Sequence, residues 1–422
     1  MKVLWVSNSP IGPMAEILGE EYKGTSGGWI KTEYEALDKS DIQMYYLCTL
    51  PNVKSGEYIE KTNENGTVYC ISSPKIPYGV PPSQKTILFI QSIINRINPD
   101  IIQLWGTETY LSNAVSRCSK NIPKIVYIQG IIGVHKRYLG GYFLEKENAE
   151  LYKGRSFFAK VKSAVQNIMF VRQADIEAQT VSNCKNIISD NILPLSYFES
   201  VTENVRLFNR PLLPNQKFFE YSWDLEKMRP HTIFTVFGGT AEKGLHQLLR
   251  AVSVVKKEYP DVKVYVPGNY PLDGNGRLLL NRKNAYMCAL YNLIDKLELQ
   301  ENVEFLGRLD MDGMAQAICK ANVFVNPSCM EVHALSLREA MAIGAPCVTS
   351  LCGSVLDYVK HRESGLIYRY EEYEVLAHHI KTIFSDSSFS EQLSNNARNA
   401  HIGLGIGQTL SLNEIYSECI KG

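Results

Sequence analysis

The sequence predicts an α/β protein built from two doubly wound domains, each with a parallel sheet. Short β-branched apolar runs alternate with helical patterns along the whole chain, which is typical of βαβ units. Roughly six such runs fall on each side of a proline-containing stretch, Asn204–Pro230. The length of 422 residues suits two to three domains. We therefore expect one domain at 1–205, a second at 206–404, and a C-terminal helix at about 405–422 packing back on the first.

The predicted strands are the apolar runs bounded by Gly, Pro, Asn or Ser. In the first half they are Val3–Val6, Met44–Leu47, Val68–Ile71, Ile101–Leu104, Ile125–Ile128 and Ala178–Val181. In the second half they are Ile233–Phe237, Val262–Val266, Val303–Leu306, Val323–Val325, Cys347–Thr349 and Leu366–Tyr368. Parallel strands of this kind direct the loops that follow them to one edge of the sheet, where a nucleotide is the default ligand.

Composition and charge exclude several classes of protein. Lys plus Arg and Asp plus Glu are both 44, so no basic excess favours nucleic acid. The first apolar run ends too early for a signal peptide, and no window approaches 18 uninterrupted apolar residues. The ten cysteines are scattered without the spacing of a zinc site. We expect a cytoplasmic protein with reduced thiols and no metal site.

Two glycine-containing loops are candidate anion sites. The segment Gly24–Gly28 precedes a helical pattern, Trp29–Leu37, and side-chain-free residues before a helix let backbone N–H groups approach a phosphate. In the second half, Gly238-Gly239-Thr240 follows a strand and precedes Lys243, which can meet a phosphate as a point charge. The alternatives are a flexible loop and a solvated lysine.

The most informative segment is Val323–Pro346. A strand leads through a loop containing Glu331 to a helix from about Leu335 to Ala342, and Glu339 lies in what we expect to be its first turn. The N–H groups of Ala334, Leu335 and Ser336 would occupy the positive end of that helix. Two carboxylates beside such a helix end suit a phosphorylated sugar, because acids accept hydroxyl protons and amides hold phosphate.

These motifs resemble glycosyltransferase family 4. The resemblance is carried by Lys243-Gly244-Leu245, Phe305-Leu306-Gly307, Pro327-Ser328, Glu331 with Glu339 (an E-x7-E motif) and Gly344-Ala345-Pro346. The family has the GT-B fold, in which two Rossmann-like domains face each other across a cleft, and transfers sugars with retention. The resemblance covers nearly all of the second domain and, more loosely, the first strand, the Gly27-Gly28 loop and the Trp105–Glu108 turn.

The resemblance implies a role for each matching residue. Three residues would be catalytic. Glu331 would contact the donor sugar, Lys243 would hold the diphosphate, and Gln129 would lie beside the reacting groups. Glu339 would bind the ribose, and Gly307 and Arg308 would border the base. The remaining donor-binding residues would be Gly27, Gly28, Gly239, Thr240, Ala334, Leu335 and Ser336.

This chain departs from the family pattern at two positions that bear on the transfer reaction. Many members have an Arg before the lysine loop, where this chain has Gly238-Gly239-Thr240, and many have a His where this chain has Gln129. Gln can donate a hydrogen bond but cannot shuttle a proton at neutral pH. A metal–diphosphate clamp of the D-x-D type is not expected, so Lys243 and helix N-termini would face the diphosphate without a cofactor.

The function implied is retaining transfer of a hexose from a nucleotide-diphosphate sugar, UDP favoured over GDP, to a glycan or lipid-linked acceptor in bacterial surface polysaccharide synthesis. We favour same-face attack by the acceptor, with the departing phosphate taking its proton. The alternatives are another GT-B enzyme, such as a sugar-nucleotide epimerase or a phosphorylase, and a non-catalytic sugar-nucleotide-binding protein.

A basic amphipathic stretch lies outside these motifs. From His135 to Arg172 there are eight Lys and Arg and three Glu, a local net charge of +5. Its apolar residues Phe157, Phe158, Val161, Val165 and Ile168 fall on one helical face. This stretch either contacts an anionic membrane peripherally or packs on the first sheet with a solvated basic edge.

Overall fold

The computed structural model describes residues 1–19, 28–76, 78–143, 148–212, 214–400 and 409–421. The chain forms two compact units. The first contains residues 1–137, 166–212 and 405–422, and the second contains 138–165 and 213–404. The first unit thus extends beyond 205, and the predicted first domain is interrupted by a segment, 138–165, that belongs to the second.

The first unit has an eight-stranded sheet that is parallel except for β3. Its strands are β1 (Lys2–Val6), β2 (Gln43–Leu50), β3 (Tyr58–Asn63), β4 (Gly66–Ser72), β5 (Ile101–Trp105), β6 (Lys124–Tyr127), β7 (Lys185–Ser189) and β8 (Arg206–Asn209). Their spatial order is β3-β4-β2-β1-β5-β6-β7-β8. Because β8 pairs with β7, the predicted boundary at 205 falls before the last strand of this sheet.

The helices up to β8 are α1 (Pro13–Leu18), α2 (Gly28–Ala36), α3 (Gln84–Ile97), α4 (Tyr110–Ser116), α5 (Ile132–His135), α6 (Phe157–Cys184) and α7 (Ile192–Val201). The predicted strand Ala178–Val181 is wrong, since these residues lie in α6. A run of four residues, three of them apolar or β-branched, does not distinguish a buried strand from a helix turn. The strand that occupies this place in the sheet is β7, which begins one residue after α6 ends.

Helix α3 shows how local sequence sets an element. The side chain of Ser83 accepts a hydrogen bond from the N–H of Thr86 and so caps the first turn. Asn98 ends the helix in the left-handed conformation. Between these residues one face is buried, with isoleucines at helical spacing (Ile87, Ile90, Ile93, Ile94 and Ile97). The helix therefore buries an apolar stripe along one face.

The second unit has a six-stranded parallel sheet of order β11-β10-β9-β12-β13-β14. Its strands are β9 (Thr232–Phe234), β10 (Lys263–Pro267), β11 (Val303–Gly307), β12 (Val323–Asn326), β13 (Cys347–Ser350) and β14 (Leu366–Tyr368). Its helices are α8 (Leu245–Val255), α9 (Ala285–Lys296), α10 (Met311–Lys320), α11 (Leu335–Ile343), α12 (Tyr373–Ser385) and α13 (Ser387–Ala400). None of the helices in the described ranges is long and apolar enough to cross a membrane.

The segment 138–165 is part of the second unit's core. Phe143 and Leu151 are buried in the same apolar cluster as α8 and α9. The amide of Asn292 donates to the Leu151 carbonyl at 2.6 Å. No local pattern in 138–165 distinguishes it from its neighbours in sequence, so only packing reveals the unit to which it belongs.

The last helix, α14 (Leu412–Lys421), packs on the first unit. The indole N–H of Trp5 donates to the hydroxyl of Tyr416 at 2.8 Å, and that hydroxyl donates to Oε1 of Gln103. All three side chains are fully buried. This chain of hydrogen bonds fixes the helix on β1 and β5.

We predict that Tyr416→Phe destabilises the protein by about 1–3 kcal/mol. The substitution leaves two buried polar groups, on Trp5 and Gln103, without the hydroxyl that satisfies them. The urea concentration at the unfolding midpoint measures the effect. Ser417→Ala on the exposed face of the same helix is the control, with an expected change within about 0.5 kcal/mol. Equal midpoints for the two variants would show that the buried hydrogen bonds contribute nothing.

Candidate functional site

The site begins in the turn that follows β9. A short 3₁₀ turn, Ala241–Lys243, leads to Gly244, whose φ of +68° lies in the left-handed region. A Cβ on Gly244 would lie 1.8 Å from the carbonyl oxygen of Pro327, in the loop after β12. Only glycine allows this approach. The turn that carries Lys243 is therefore seated directly against the loop that carries Glu331.

A backbone hydrogen bond joins the same two loops. The N–H of Cys329 donates to the carbonyl of Glu242 at 2.8 Å. On the other side of Glu331, the hydroxyl of Ser354 donates to the carbonyl of Val332. β9 and β12 are neighbours in the parallel sheet, so their following loops meet at its carboxyl edge. This arrangement brings together two residues that are 88 positions apart in sequence.

Lys243 and Glu331 form an ion pair at this edge. The distance from Nζ of Lys243 to Oε1 of Glu331 is 2.7 Å, and the two side chains are 32% and 14% exposed. Burial lowers the pKa of Lys243, but the Glu331 carboxylate and its hydrogen bond raise it, and the net pKa lies above the ordinary value. The lysine therefore remains charged at neutral pH and can hold an anion.

Helix α11 presents its N-terminus next to these loops. Ala334 precedes the helix with a φ of +43°, and the first helical residues are Leu335 and Ser336. Among the described residues, the backbone N–H groups of Leu335 and Ser336 have no acceptor, whereas those of Leu337 and Arg338 donate to the Ala334 carbonyl. Two unpaired N–H groups at the positive end of a helix can bind an anion.

Glu339 lies in the second turn of α11, because the helix begins at Leu335. The expectation that it lies in the first turn was wrong. Its side chain is half-buried and forms no hydrogen bond or ion pair within the described part of the chain. Burial raises the pKa of Glu339 to about 8. A carboxyl group kept protonated without a partner is ready to bind a hydroxyl group of a ligand.

The other predicted site residues, donor-binding and catalytic, are divided between the two units. Gly239 and Thr240 lie in the Lys243 turn, and Gly307 ends β11 at the same carboxyl edge, followed by Arg308. Gly28 begins α2 in the first unit, and Gln129 follows β6 there and is half-buried. Gly27 lies outside the described residues.

The sequence contains one D-x-D spacing, Asp310-Met311-Asp312, contrary to the expectation that none occurs. Both carboxylates have structural partners. Asp310 caps α10 by accepting from the N–H of Gly313, and Asp312 accepts from Lys217 and from the hydroxyl of Tyr221. No group of three or more His, Cys, Asp or Glu residues suited to a metal occurs among the described residues.

Sequence reasoning missed Glu177, a buried carboxyl group of the first unit. It accepts hydrogen bonds from the hydroxyl of Thr107 at 2.7 Å and from the N–H groups of Ile132 and Gly133 at 3.0 and 2.9 Å. It thereby fixes the N-terminus of α5, three residues after Gln129. Glu177 follows other polar residues, among them Gln173 and Asp175, so no local signal marked it as buried, and the residues after it were assigned to a strand.

Comparison with known proteins agrees with this architecture. Solved structures match the whole chain and identify two α/β units of the GT-B class. Sucrose-phosphate synthase from Thermosynechococcus elongatus has a TM-score of 0.70 at 17% identity, covering 100% of this chain and 99% of that one. Anabaena HepE in complex with UDP-glucose has a TM-score of 0.62 at 14% identity, covering 100% and 98%.

Residues 218–400 match the family model Glycosyl transferases group 1. This range contains the Lys243 turn, the Glu331 loop and α11, so the candidate site lies in the part of the chain that is similar to this family.

Curated relatives match a part of the chain. An uncharacterized glycosyltransferase of Methanocaldococcus jannaschii is 26% identical over 159 residues, 38% of this chain and 37% of the relative. A capsular polysaccharide biosynthesis glycosyltransferase of Staphylococcus aureus is 23% identical over 161 residues, 37% of each chain. The matches therefore span little more than a third of these relatives' length.

We predict that Glu177→Gln reduces the pH dependence of stability. Burial raises the pKa of Glu177 to about 7, above its value in the unfolded chain, so its contribution is present at low pH and is lost as pH rises through 7. The fall in melting temperature between pH 5 and pH 8 should be smaller in the variant. Asp175→Asn, at an exposed position of the same helix, is the control. Parallel pH curves for wild type and Glu177→Gln would contradict the assignment.

Proposed function

We propose that the protein transfers a hexosyl group from a nucleoside-diphosphate sugar to a glycan or lipid-linked acceptor, with retention at the anomeric carbon. The observation that carries the proposal is the Lys243–Glu331 ion pair beside two unpaired N–H groups of α11. A cation, a carboxylate and a helix N-terminus at one sheet edge match the chemistry of a phosphorylated sugar. The group 1 domain match supports the same assignment.

The diphosphate is the group that these residues bind best. Its oxygens would accept from the N–H groups of Leu335 and Ser336 and would share the Lys243 ammonium with Glu331. Negative charge grows on the diphosphate as the glycosidic bond breaks, so preorganised donors stabilise the transition state more than the ground state. The Glu331 carboxylate, drawn to the same place by Lys243, would accept from the sugar hydroxyls.

The acceptor would attack the face from which the diphosphate leaves, and the departing phosphate oxygen would take the acceptor proton. Gln129 would assist by donating a hydrogen bond, since an amide cannot act as a base. No metal is needed in this scheme, because Lys243 and α11 face the leaving group. We favour UDP as the nucleotide, a preference supported by the UDP named in the HepE complexes.

A role in polysaccharide synthesis is part of the proposal and is supported by the name of the Staphylococcus aureus relative. A sugar-nucleotide-binding protein without catalysis is the second candidate. It is favoured by Gln129 in place of a histidine and by the pairing of Lys243 with Glu331, which reduces the charge offered to the diphosphate. An epimerase or a phosphorylase would share the fold but release different products.

An assay of nucleotide release and sugar products distinguishes the transferase from the three alternatives. The protein is incubated with UDP- and GDP-sugars, with and without glycan and lipid-linked acceptors, and nucleotide release is measured. A transferase releases nucleotide in proportion to the sugar transferred, an epimerase releases none but changes the sugar, and a binding protein only retains the ligand. A phosphorylase releases sugar phosphate from a glycan instead.

We predict that Lys243→Ala lowers kcat by about 10²–10³-fold, the range for removing one group that faces developing charge. Lys257→Ala, at an exposed position just after α8, is the matched control and should leave kcat unchanged. Activity of Lys243→Ala within about threefold of wild type would show that another cation faces the diphosphate.

We predict that at pH 9, where the carboxylate has formed, Glu339→Ala weakens nucleotide binding by about 1.5–3 kcal/mol, the range for losing a hydrogen bond to a charged group. Because burial raises the pKa of Glu339 to about 8, nucleotide affinity of the wild type should rise between pH 7 and pH 9 as the carboxylate forms. Calorimetry measures both effects. Glu339→Gln lacks the titrating group and should lose the pH-dependent rise; a rise identical to that of the wild type would remove Glu339 from the ribose site.

A further inference from the structure

We propose that the first half of α6 is a docking surface for a lipid bilayer that contains anionic headgroups. Apolar side chains are exposed along this part of the helix, most of all Phe157 at 75%, Phe158 at 82% and Ile168 at 56%. Val161 and Val165 are exposed as well. The alternative that these side chains pack on the first sheet is therefore wrong.

The exposed apolar residues form one stripe. At 100° per residue, Phe157, Phe158, Val161, Val165 and Ile168 lie within an arc of about 100°. Lys160 and Lys162 lie on opposite sides of this arc, and both are exposed. No acidic residue occurs between Phe157 and Arg172. The helix thus has an apolar stripe with a cation along each edge.

This arrangement favours a bilayer interface, rather than a second copy of the chain, as the partner that covers the apolar stripe. In a bilayer the apolar stripe enters the acyl region while the lysine side chains extend to the phosphate groups. Two such helices packed stripe to stripe would place lysines beside lysines without an acidic residue to compensate. The charge pattern is therefore complementary to anionic lipid and repulsive toward itself.

The second half of α6 is anchored firmly in the first unit. The N–H of Gly79 donates to Oε1 of Gln173 at 2.7 Å, and a Cβ on Gly79 would lie 2.5 Å from the Met169 carbonyl oxygen. The rings of Tyr78 and Phe170 are 6.5 Å apart. This loop also exposes Ile76 and Tyr78, each by 44%, and so adds apolar surface next to the helix.

The surface is independent of the proposed reaction, because it contains none of the site residues. It deepens the proposal in one respect, since an enzyme attached to a membrane meets a lipid-linked acceptor there. Attachment and nucleotide binding can therefore fail separately.

The test is sedimentation with vesicles of phosphatidylcholine alone and of phosphatidylcholine with one third phosphatidylglycerol. The wild type should bind the anionic vesicles at low salt and be released as salt screens the charges. Lys160→Glu with Lys162→Glu should weaken binding by about 25-fold or more, since each basic residue contributes about fivefold. Phe157→Ser with Phe158→Ser should weaken it by at least about tenfold, because two large apolar side chains no longer insert.

The matched controls change the same kinds of residue outside α6, at exposed positions of the first unit. Lys120→Glu with Lys185→Glu reverses two exposed charges, and Ile420→Ser removes an exposed apolar side chain. Both should bind vesicles like the wild type, and all variants should bind nucleotide equally.

Three results would overturn the proposal. The wild type could remain in the supernatant with anionic vesicles at low salt. The Phe157→Ser, Phe158→Ser variant could bind as well as the wild type. Finally, the wild type could fail to bind vesicles and sediment as a dimer in the ultracentrifuge, while the Phe157→Ser, Phe158→Ser variant sediments as a monomer. This result would identify a second copy of the chain as the partner.

Discussion

The candidate site depends on the close approach of the Gly244 turn to the Pro327 carbonyl. A side chain at position 244 would separate the loops after β9 and β12, and the Lys243–Glu331 pair could not form. The parallel sheet brings these loops to one edge, but a sheet alone does not bring side chains within 2.7 Å. Two further features hold the loops at this distance. Gly244 has no Cβ, and the N–H of Cys329 donates a hydrogen bond to the carbonyl of Glu242.

The charges at this edge would allow an incoming anion to replace part of the existing ion pairing. Lys243 is paired with Glu331, while the N–H groups of Leu335 and Ser336 have no acceptor and Glu339 has no cation among the described residues. An incoming anion would satisfy the helix end and loosen the ion pair without leaving a buried charge alone. Under the proposed function, the site would be complementary to a ligand with both anionic and hydroxyl groups.

The sequence by itself determined the α/β class, most strands and the identity of the chemical groups at the site. Buried parallel strands are continuous apolar runs, so β1, β5 and β12 were visible without any knowledge of their neighbours. The motif around Lys243, Glu331 and Glu339 is also local, because each residue sits at a fixed distance from a strand end or a helix start. The predicted start of this helix, Leu335, is the observed one, and Glu339 falls in the second turn because it is the fifth residue of a helix with 3.6 residues per turn.

Only the tertiary structure decided to which unit each segment of the chain belongs and which residues each side chain contacts. Segment 138–165 packs with residues more than a hundred positions away, and its own sequence carries no mark of that partner. The Lys243–Glu331 pair, the buried partners of Glu177 and the exposure of Phe157 and Phe158 are likewise relations between distant parts of the chain. Periodicity shows that one helix face is apolar, but it cannot show whether protein covers that face, because burial depends on what the rest of the chain places against it.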